Sequence, residues 1–213
     1  HAPCVSGKEL AAYVASGIDT DHESISWDEA REKLRSGLAV LVREGSASRN
    51  LEAIIKGVLA DGVDVSSLAF CTDDKHLADI RSEGTIRHCV KLAITLGMEP
   101  VRALRLASIN AARIYGLKRL GAIAPSWQAD LVVFDNLESL VPQAVYYKGR
   151  DAWKEAAKVQ PVQPETTLQG SVRPAAFSEE TFSPERFAAD KEYAVIEMLP
   201  GEIFTERSSI KGA

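Results

Sequence analysis

Short apolar runs alternate with amphipathic segments along the first half of the chain. The runs Leu38 to Val42 and Leu68 to Cys71 have the length of strands, and the segments between them carry apolar residues at helical spacing. Short apolar runs between amphipathic helices are typical of buried parallel strands. Each unit reaches a polar end, and we place these ends at His1, His22, Glu44 and Asp73.

The spacing of these polar ends favours a parallel α/β fold. They lie 21, 22 and 29 residues apart, and a (β/α)8 barrel of roughly 250 residues averages about 31 residues per unit. An open, doubly wound sheet has similar spacing, so periodicity alone leaves both architectures open. In either fold the carboxyl ends of the strands share one edge.

Helix start and stop signals support the same alternation. Two capping-box patterns, Ser6 with Glu9 and Ser26 with Glu29, predict helices that end at glycines. After Asp74 the chain is predicted to be helical for a long stretch. The segments are Thr85 to Leu96, a helix that starts at Glu99-Pro100, and Ser108 to Tyr115.

The pattern changes in the second half. Ala129 to Asp135 and Val145 to Tyr147 read as neighbouring strands outside the α/β alternation, which indicates a second, small β domain. From about residue 151 onward, scattered prolines predict linker or loosely ordered chain. A strand is expected again at Tyr193 to Met198, followed by a turn into another.

Composition narrows the class of protein. The 213 residues are 46% hydrophobic with a net charge of −5, which favours neither nucleic acid nor an anionic membrane surface as a partner. No apolar run approaches the roughly 18 residues of a membrane span, and no signal peptide is visible. Cys4, Cys71 and Cys89 are odd in number and widely spaced, which predicts reduced thiols and a cytoplasmic protein.

Two adjacent carboxylates follow one of the predicted strands. The run that ends at Cys71 is followed by Thr72, Asp73 and Asp74. In parallel α/β enzymes, a side chain just past the carboxyl end of a strand faces the open mouth of the sheet, where catalytic groups lie. Either acid is also a common cap for the helix that follows.

Metal-binding chemistry is the second hypothesis for this edge. His1, His22 and Asp73 all fall at predicted strand ends, and two imidazoles with a carboxylate suit Zn, Mn or Fe(II). Asp73 is then expected to bind the metal and also to move protons. The alternatives are that His1 is a tag remnant, that His22 is a solvated loop histidine, and that Glu44 forms a surface ion pair.

Four segments together resemble the adenine deaminase branch of the amidohydrolase superfamily: His1-Ala2-Pro3, Asp21-His22-Glu23, Arg43-Glu44-Gly45-Ser46 and Cys71-Thr72-Asp73-Asp74. Two further segments are similar to less specific parts of that pattern. Gly121 to Pro125 with Ala129 to Val133 resembles the return to a small β domain, and Leu199-Pro200-Gly201 with Ile203 resembles the start of an extra C-terminal domain.

The resemblance implies metal-dependent hydrolysis of adenine to hypoxanthine and ammonia. It implies His1, His22 and Asp73 as metal ligands and Asp73, Glu44 and Glu23 as catalytic residues. It also implies that Glu44, Ser46 and Asp74 bind the purine. The cofactor expected from the family is a divalent transition metal, binuclear in the full enzyme, with Mn or Fe(II) favoured over Zn. A homo-oligomer is expected.

The chain departs from the family pattern at its beginning. It contains no HxH pair, and its first residue already matches a position past strand four. We therefore expect the C-terminal half of a (β/α)8 barrel in residues 1–118, a small β-domain segment in 119–151, and a linker with the start of a C-terminal domain in 152–213. The missing N-terminal half of the same enzyme is the expected partner, and this chain alone is expected to be inactive.

Two other functions remain open at this point. A related amidohydrolase could cleave a cyclic or acyl amide with the same metal site. A half-barrel with a vestigial site could act as a non-enzymatic interaction module.

Overall fold

The computed structural model describes residues 2–160, 170–176, 178–182, 188, 190–201 and 204–212. Its first part is built on a parallel three-stranded sheet with the order β1-β2-β3. The strands are β1 (Thr20–Asp21), β2 (Ala39–Arg43) and β3 (Leu68–Cys71). This sheet confirms the predicted parallel α/β alternation.

The register of the strands aligns the predicted polar ends. Thr20 pairs with Ala39, and Arg43 pairs with Cys71. Residues 22, 44 and 73 therefore follow the carboxyl ends of three strands at one edge of the sheet, which we call the rim. His1, the first of the predicted ends, lies outside the described residues.

Helices cover the sheet and continue past it. They are α1 (Gly7–Ala15), α2 (Trp27–Arg35), α3 (Leu51–Asp61), α4 (Leu77–Ser82), α5 (Ile86–Thr95), α6 (Pro100–Leu106) and α7 (Ile109–Ile114). The first three alternate with the strands, and the predicted helical stretch after Asp74 corresponds to the last four.

The core explains why β2 is apolar as far as Arg43 and why β3 is apolar throughout. Val40, Val42 and Leu68 are inaccessible to solvent, as are Ile54 and Val58 of α3, and they share one cluster. Strands covered on both faces have no solvent-facing side, so they lack the alternation of polar and apolar residues. The rim is thereby carried on a rigid, fully packed support.

Only one of the two predicted capping boxes forms a side-chain cap. Ser26 Oγ accepts a hydrogen bond from the Glu29 amide at 3.3 Å, at the start of α2. Ser6 precedes α1 in extended conformation and makes no side-chain cap, so that prediction was wrong. α6 is capped by Glu99, whose carboxylate accepts from the amides of Val101 and Arg102.

A separate antiparallel sheet follows, as the pattern predicted. Its strands are β4 (Leu131–Phe134), β5 (Pro142–Tyr147) and β6 (Arg150–Asp151), in that order. Helix α8 (Ala152–Ala156) packs against β5, at the point where the linker was predicted to begin. Parts of the predicted linker, including residues 161–169 and 183–187, lie outside the described residues.

The last part of the chain contains a hairpin. A short 3₁₀ helix (Glu179–Phe182) precedes β7 (Glu192–Met198), which pairs along its full length with β8 (Thr205–Lys211). The predicted strand at Tyr193 to Met198 is confirmed. The backbone oxygen of Gly201, in the turn of the hairpin, accepts from the Arg49 amide at 3.4 Å.

The three cysteines differ in environment. Cys4 is exposed, whereas Cys71 and Cys89 are sheltered by the sheet and α5, and all three are free thiols. Burial raises the pKa of Cys71 and that of Cys89 to about 12. Within the described residues, no helix combines the length and apolar character needed to cross a membrane.

Candidate active site

The rim brings two of the predicted metal ligands together across a strand that separates them. His22 follows β1 and Asp73 follows β3, with β2 between them. Strands two positions apart are about 9.6 Å apart in a flat sheet. Even so, His22 Nε2 and Asp73 Oδ1 are 3.8 Å apart. Both side chains therefore reach over the end of β2 toward one point.

The backbone at Asp73 has a conformation that few side chains adopt. Its φ is +44°, in the left-handed region, which aspartate and asparagine occupy more readily than other residues with a Cβ atom. Such conformations cluster at functional sites, where the surrounding structure holds them in place. The turn occurs two residues beyond the last residue of β3, where the acid was predicted to face the mouth of the sheet.

Arg43, the last residue of β2, binds the carboxylates of this rim. Its Nη2 lies 2.7 Å from Asp73 Oδ2 and 3.1 Å from Asp74 Oδ1, and its Nη1 lies 3.9 Å from Glu23 Oε1. The side chain of Arg43 is only 9% exposed. It therefore neutralises part of the negative charge at the rim and holds one oxygen of Asp73, while the other faces His22.

The sequence hypothesis missed this role for Arg43. The sequence feature that could have revealed this role is a charged residue that ends an apolar strand, directly before the predicted polar end at Glu44. The predicted strand stopped one residue too early, at Val42, so Arg43 was assigned to the polar end and paired with no acid across the rim. Its register opposite Cys71 places it beside the two acids that follow β3.

Asp74 supports the loop that follows β2. Its Oδ2 accepts from the Ala47 amide at 2.7 Å, and its Oδ1 accepts from Arg43. Burial acts to raise the pKa of Asp74, but the Ala47 amide and the Arg43 guanidinium outweigh it and lower that pKa below its ordinary value. Asp74 therefore stays ionised at the rim.

Neither acid caps the following helix. Helix α4 starts at Leu77, and its N-cap position is His76, which makes no side-chain cap. The alternative that Asp73 or Asp74 serves only as a helix cap is therefore wrong. The backbone has already turned away before the helix begins.

Gly45 allows Asp74 to approach the loop. A Cβ atom at residue 45 would overlap the Asp74 carboxylate and would lie 3.1 Å from the Thr72 carbonyl oxygen. Because Arg43 and the Ala47 amide hold that carboxylate, it cannot move aside without losing one of these bonds. A glycine is the residue that satisfies this contact.

We expect Gly45→Ala to destabilise the full-length protein by about 1–3 kcal/mol, since it displaces a partly buried, hydrogen-bonded carboxylate. Chemical denaturation measures the loss. Gly62→Ala reports the cost of backbone strain without a steric contact, because a Cβ there meets open space within the described residues but its φ is +61°. If Gly45→Ala leaves the stability unchanged, the close contact does not hold Asp74.

Glu44 is buried, so the alternative of a surface ion pair with Arg43 is wrong. Its side chain is 4% exposed, and its Oε1 lies 3.3 Å from Arg49 Nη1. Burial raises the pKa of Glu44 above its ordinary value, while the positive charges of Arg49 and Lys75 act in the opposite direction. A carboxyl group in this environment can be held in its neutral, hydrogen-donating form more easily than an exposed one.

Arg49 and Lys75 share a second acid, which ties α4 to the rim. Glu83 accepts from both Arg49 and Lys75. Hydrogen bonds from these two cations lower the pKa of Glu83 to about 2. Lys75 has a side chain only 2% exposed, so the segment after β3 is anchored by a buried cation beside Glu44.

Ser46 contacts this same segment. Its hydroxyl accepts from the His76 amide at 2.8 Å and donates to the Asp79 carboxylate. Ser46 therefore connects the end of β2 to the start of α4, at the margin of the rim.

The residues of the rim fit a metal ion to the extent that they are described. Metal–nitrogen and metal–oxygen bonds of about 2.0–2.2 Å place two ligand atoms of a tetrahedral site about 3.3–3.6 Å apart. The 3.8 Å between His22 Nε2 and Asp73 Oδ1 is slightly longer than this, so a small side-chain movement would bring both atoms to one ion. No group of three or more potential ligands occurs among the described residues, and His1, the third predicted ligand, lies outside them.

An apolar cleft elsewhere in the molecule is a poorer candidate for the site. It has a volume of about 670 Å³ and lies between α5, α6 and β4, with Ile86, Leu104 and Val132 among its lining residues. None of the predicted site residues that the structure describes lines it. The rim is therefore the better candidate for the site.

Comparison with known proteins decides the family. The model of the amidohydrolase family matches residues 11–169. This chain belongs to the amidohydrolase family. The parallel α/β part and the small sheet that follows it are thus parts of an amidohydrolase fold, as the sequence predicted.

Curated relatives of this amidohydrolase are named adenine deaminases. That of Desulfitobacterium hafniense is 42% identical over 206 residues, covering 97% of this chain and 36% of the relative. That of Petrotoga mobilis is 41% identical over 210 residues, and the match covers 96% of this chain and 36% of the relative. That of Clostridium acetobutylicum is 47% identical over 155 residues. The resemblance predicted from the motifs is confirmed, and the matches span 27% to 36% of these relatives' length.

A solved structure supports the fold. The β-aspartyl dipeptidase of Fervidobacterium islandicum, determined in complex with a β-Asp-Leu dipeptide, aligns with a TM-score of 0.51. The identity is 17%, and the match covers 70% of this chain and 45% of that one. At this identity the similarity concerns the amidohydrolase fold alone.

Proposed function

We propose that this amidohydrolase chain is part of an enzyme that hydrolyses adenine to hypoxanthine and ammonia. The observation that carries the proposal is the convergence of His22 and Asp73 at 3.8 Å over the end of β2. The choice of adenine is supported by the names of relatives that are 40% to 42% identical over 97% of the chain.

The proposed cofactor is a divalent transition metal held by His22 and Asp73 together with His1. His1 is assigned by its place in the sequence, directly before the buried Ala2. We favour Mn or Fe(II), with Zn as a further possibility and a second ion in the full enzyme. Such a metal supplies hydroxide at neutral pH by lowering the pKa of a water molecule that it binds.

Asp73 has the position to move protons during hydrolysis. The reaction adds water at the amino-bearing ring carbon and breaks its bond to the amine, so one proton must reach the ring and one the leaving group. Arg43 fixes Asp73 Oδ2, which leaves Oδ1 on the side of His22. Glu23, on the far side of the Arg43 guanidinium, is the proposed second proton-handling residue.

Glu44 is proposed to bind the purine at the rim. Its buried carboxyl group, which accepts from Arg49, can accept a further hydrogen bond from an N–H of the purine. Ser46 and Asp74 are the other proposed contacts. Their hydrogen bonds to the His76 and Ala47 amides support a position close to the end of β2.

The proposed layout follows the order of the sheets. Residues 1–118 would supply the second half of a (β/α)8 barrel, 119–151 a small β-domain segment, and 152–213 a linker with the start of a C-terminal domain. The consecutive parallel order β1-β2-β3 and the separate antiparallel sheet support this division. We further propose a cytoplasmic homo-oligomer in which an N-terminal half completes the barrel.

The test is ammonia release by the full-length protein. Metal-depleted protein is supplied with Mn²⁺, Fe²⁺ or Zn²⁺ and with adenine, adenosine, a cyclic amide or a β-aspartyl dipeptide. We expect hypoxanthine and ammonia in equal amounts from adenine alone, with loss of activity in chelator and recovery with metal. Absence of ammonia with every ion contradicts the proposal, and turnover of an amide alone would assign the amide-cleaving alternative.

A further inference from the structure

A fully buried ammonium group lies beneath the rim. Lys33 of α2 is inaccessible to solvent. Its Nζ donates to the Ala2 carbonyl oxygen at 2.7 Å, to Asp21 Oδ2 at 2.8 Å and to Glu29 Oε1 at 2.7 Å. An ammonium group has three hydrogen-bond donors, so each has an acceptor here.

The Asp21 carboxylate connects two separate segments of the chain. Its Oδ1 accepts from the Ala2 amide at 3.1 Å, and its Oδ2 accepts from the Glu23 amide and the Ser24 hydroxyl. Together with the bond from Lys33, this fixes both backbone polar groups of Ala2. The segment that follows His1 is thus held against the end of β1.

Glu29 makes the same connection from the start of α2. Its Oε1 accepts from the Cys4 amide at 2.8 Å, and its Oε2 accepts from the Ile25 amide at 3.0 Å. One carboxylate therefore bridges residues 2–4 and residues 21–25. Because the two donors are on different segments, movement of either segment breaks a hydrogen bond to the Glu29 carboxylate.

We propose that Lys33, with Asp21 and Glu29, is a positioning element for the metal site. The inference rests on the proposed function, in which His1 and His22 are ligands. His22 is attached to Asp21, so fixing Asp21 limits where the His22 imidazole can lie. The same cluster holds Ala2, the residue next to His1 in the sequence. Groups that orient ligands in this way typically change metal affinity by 10–100-fold when they are removed.

A purely stabilising role would not need this chemistry. Buried ion pairs are often replaced by apolar residues without loss of stability. The partners of Lys33 instead include Ala2 and Asp21, the residues next to two predicted ligands in the sequence. The expected effect of removing it is therefore on metal binding as well as on folding.

The chain contains a matched pair for comparison. Glu52 and Lys56 on α3 have the same four-residue spacing as Glu29 and Lys33, and their charged groups are 2.5 Å apart. Their side chains are about 60% exposed, at 58% and 62%. Val58, inaccessible in the core, offers a second control that lowers stability without touching any charged group.

The experiment measures Mn²⁺ binding to full-length Lys33→Met, Lys56→Met and Val58→Ala proteins, by calorimetric titration at a temperature where each is folded. We expect Lys33→Met to weaken Mn²⁺ binding at least tenfold. Lys56→Met should match the wild type in both affinity and stability. Val58→Ala should unfold at lower denaturant concentration with unchanged Kd.

The outcomes separate this inference from the proposed function. Unchanged Mn²⁺ affinity in folded Lys33→Met, or an equal loss in Val58→Ala, overturns the positioning role while the proposed function stands. Wild-type protein that binds none of Mn²⁺, Fe²⁺ and Zn²⁺ overturns both. If Lys33→Met does not fold, Glu29→Gln decides: a Kd at least threefold weaker supports the role, and an unchanged Kd refutes it.

Discussion

Replacing Asp73 with Asn is expected to lower the kcat of the full-length enzyme by about 10³-fold or more, in line with the loss of a general acid–base group that is also a metal ligand. Asn has the shape of Asp and tolerates the left-handed backbone that residue 73 adopts, with φ at +44°. The change therefore removes the negative charge and the proton-carrying oxygen with little backbone strain. Steady-state ammonia release measures the effect.

Asp74→Asn is the matched control for this prediction. Asp74 is the neighbouring acid and also contacts Arg43, but its other oxygen accepts from the Ala47 amide. An Asn oxygen can keep one of these bonds, so we expect a stability loss of about 1 kcal/mol and a kcat within tenfold of wild type. Equal losses of activity at residues 73 and 74 would refute the assignment of Asp73 as the reacting acid.

Replacing Arg43 with Met is expected to lower kcat by about 10²-fold, the scale of a catalytic group displaced by roughly 1 Å. Without the guanidinium, Asp73 Oδ2 loses its 2.7 Å partner, and the acids of the rim repel one another. Stability should fall by about 1–3 kcal/mol because a largely buried pairing is broken. Arg43→Lys should recover only part of this loss. Lysine restores the positive charge, but its single ammonium group cannot bind every carboxylate that the planar guanidinium of Arg43 binds.

Arg31→Met is the control for Arg43→Met. Arg31 also contacts two acids, Asp28 and Asp61, but on the more exposed surface of α2 and α3. Exposed pairs of this kind contribute little, typically below about 1 kcal/mol, so kcat should stay at the wild-type value. A folded Arg43→Met protein with wild-type kcat would show that Arg43 serves stability alone.

The sheet was predictable from sequence because its strands are buried on both faces. Leu68 to Cys71 was located without error, and β2 was displaced by one residue. That small displacement mattered, because it moved Arg43 from the strand to the loop and hid its register opposite Cys71. Where a polar residue ends an apolar run, the pattern gives no sign of whether it belongs to the strand.

The Lys33 cluster was not predictable from the same pattern. Glu29-to-Lys33 and Glu52-to-Lys56 are identical as spacings on amphipathic helices, yet one cation is inaccessible and the other is 62% exposed. The difference is made by Ala2 and Asp21, which are distant in sequence and approach α2 only in the folded chain. Local periodicity carries no information about such partners.

Glu44 illustrates a further limit. Its neighbours Arg43 and Gly45 suggest a solvated tip, but the loop folds back and Arg49 covers the carboxylate. Arg49 is five positions further along the chain, and its backbone pairs with that of Glu44 in an isolated antiparallel bridge. Burial of the acid, and hence its raised pKa, follows from that loop conformation.

Because the three cysteines differ in environment, thiol reagents should react with one of them, Cys4, in preference to the other two. Only a thiolate is a strong nucleophile, and thiols with pKa values of about 12, such as Cys71 and Cys89, carry almost none at neutral pH. Cys4 is exposed, and its amide is the one that Glu29 holds. A fluorescent or spin label can therefore be attached at Cys4 without removing other cysteines, two residues from the backbone that Lys33 binds.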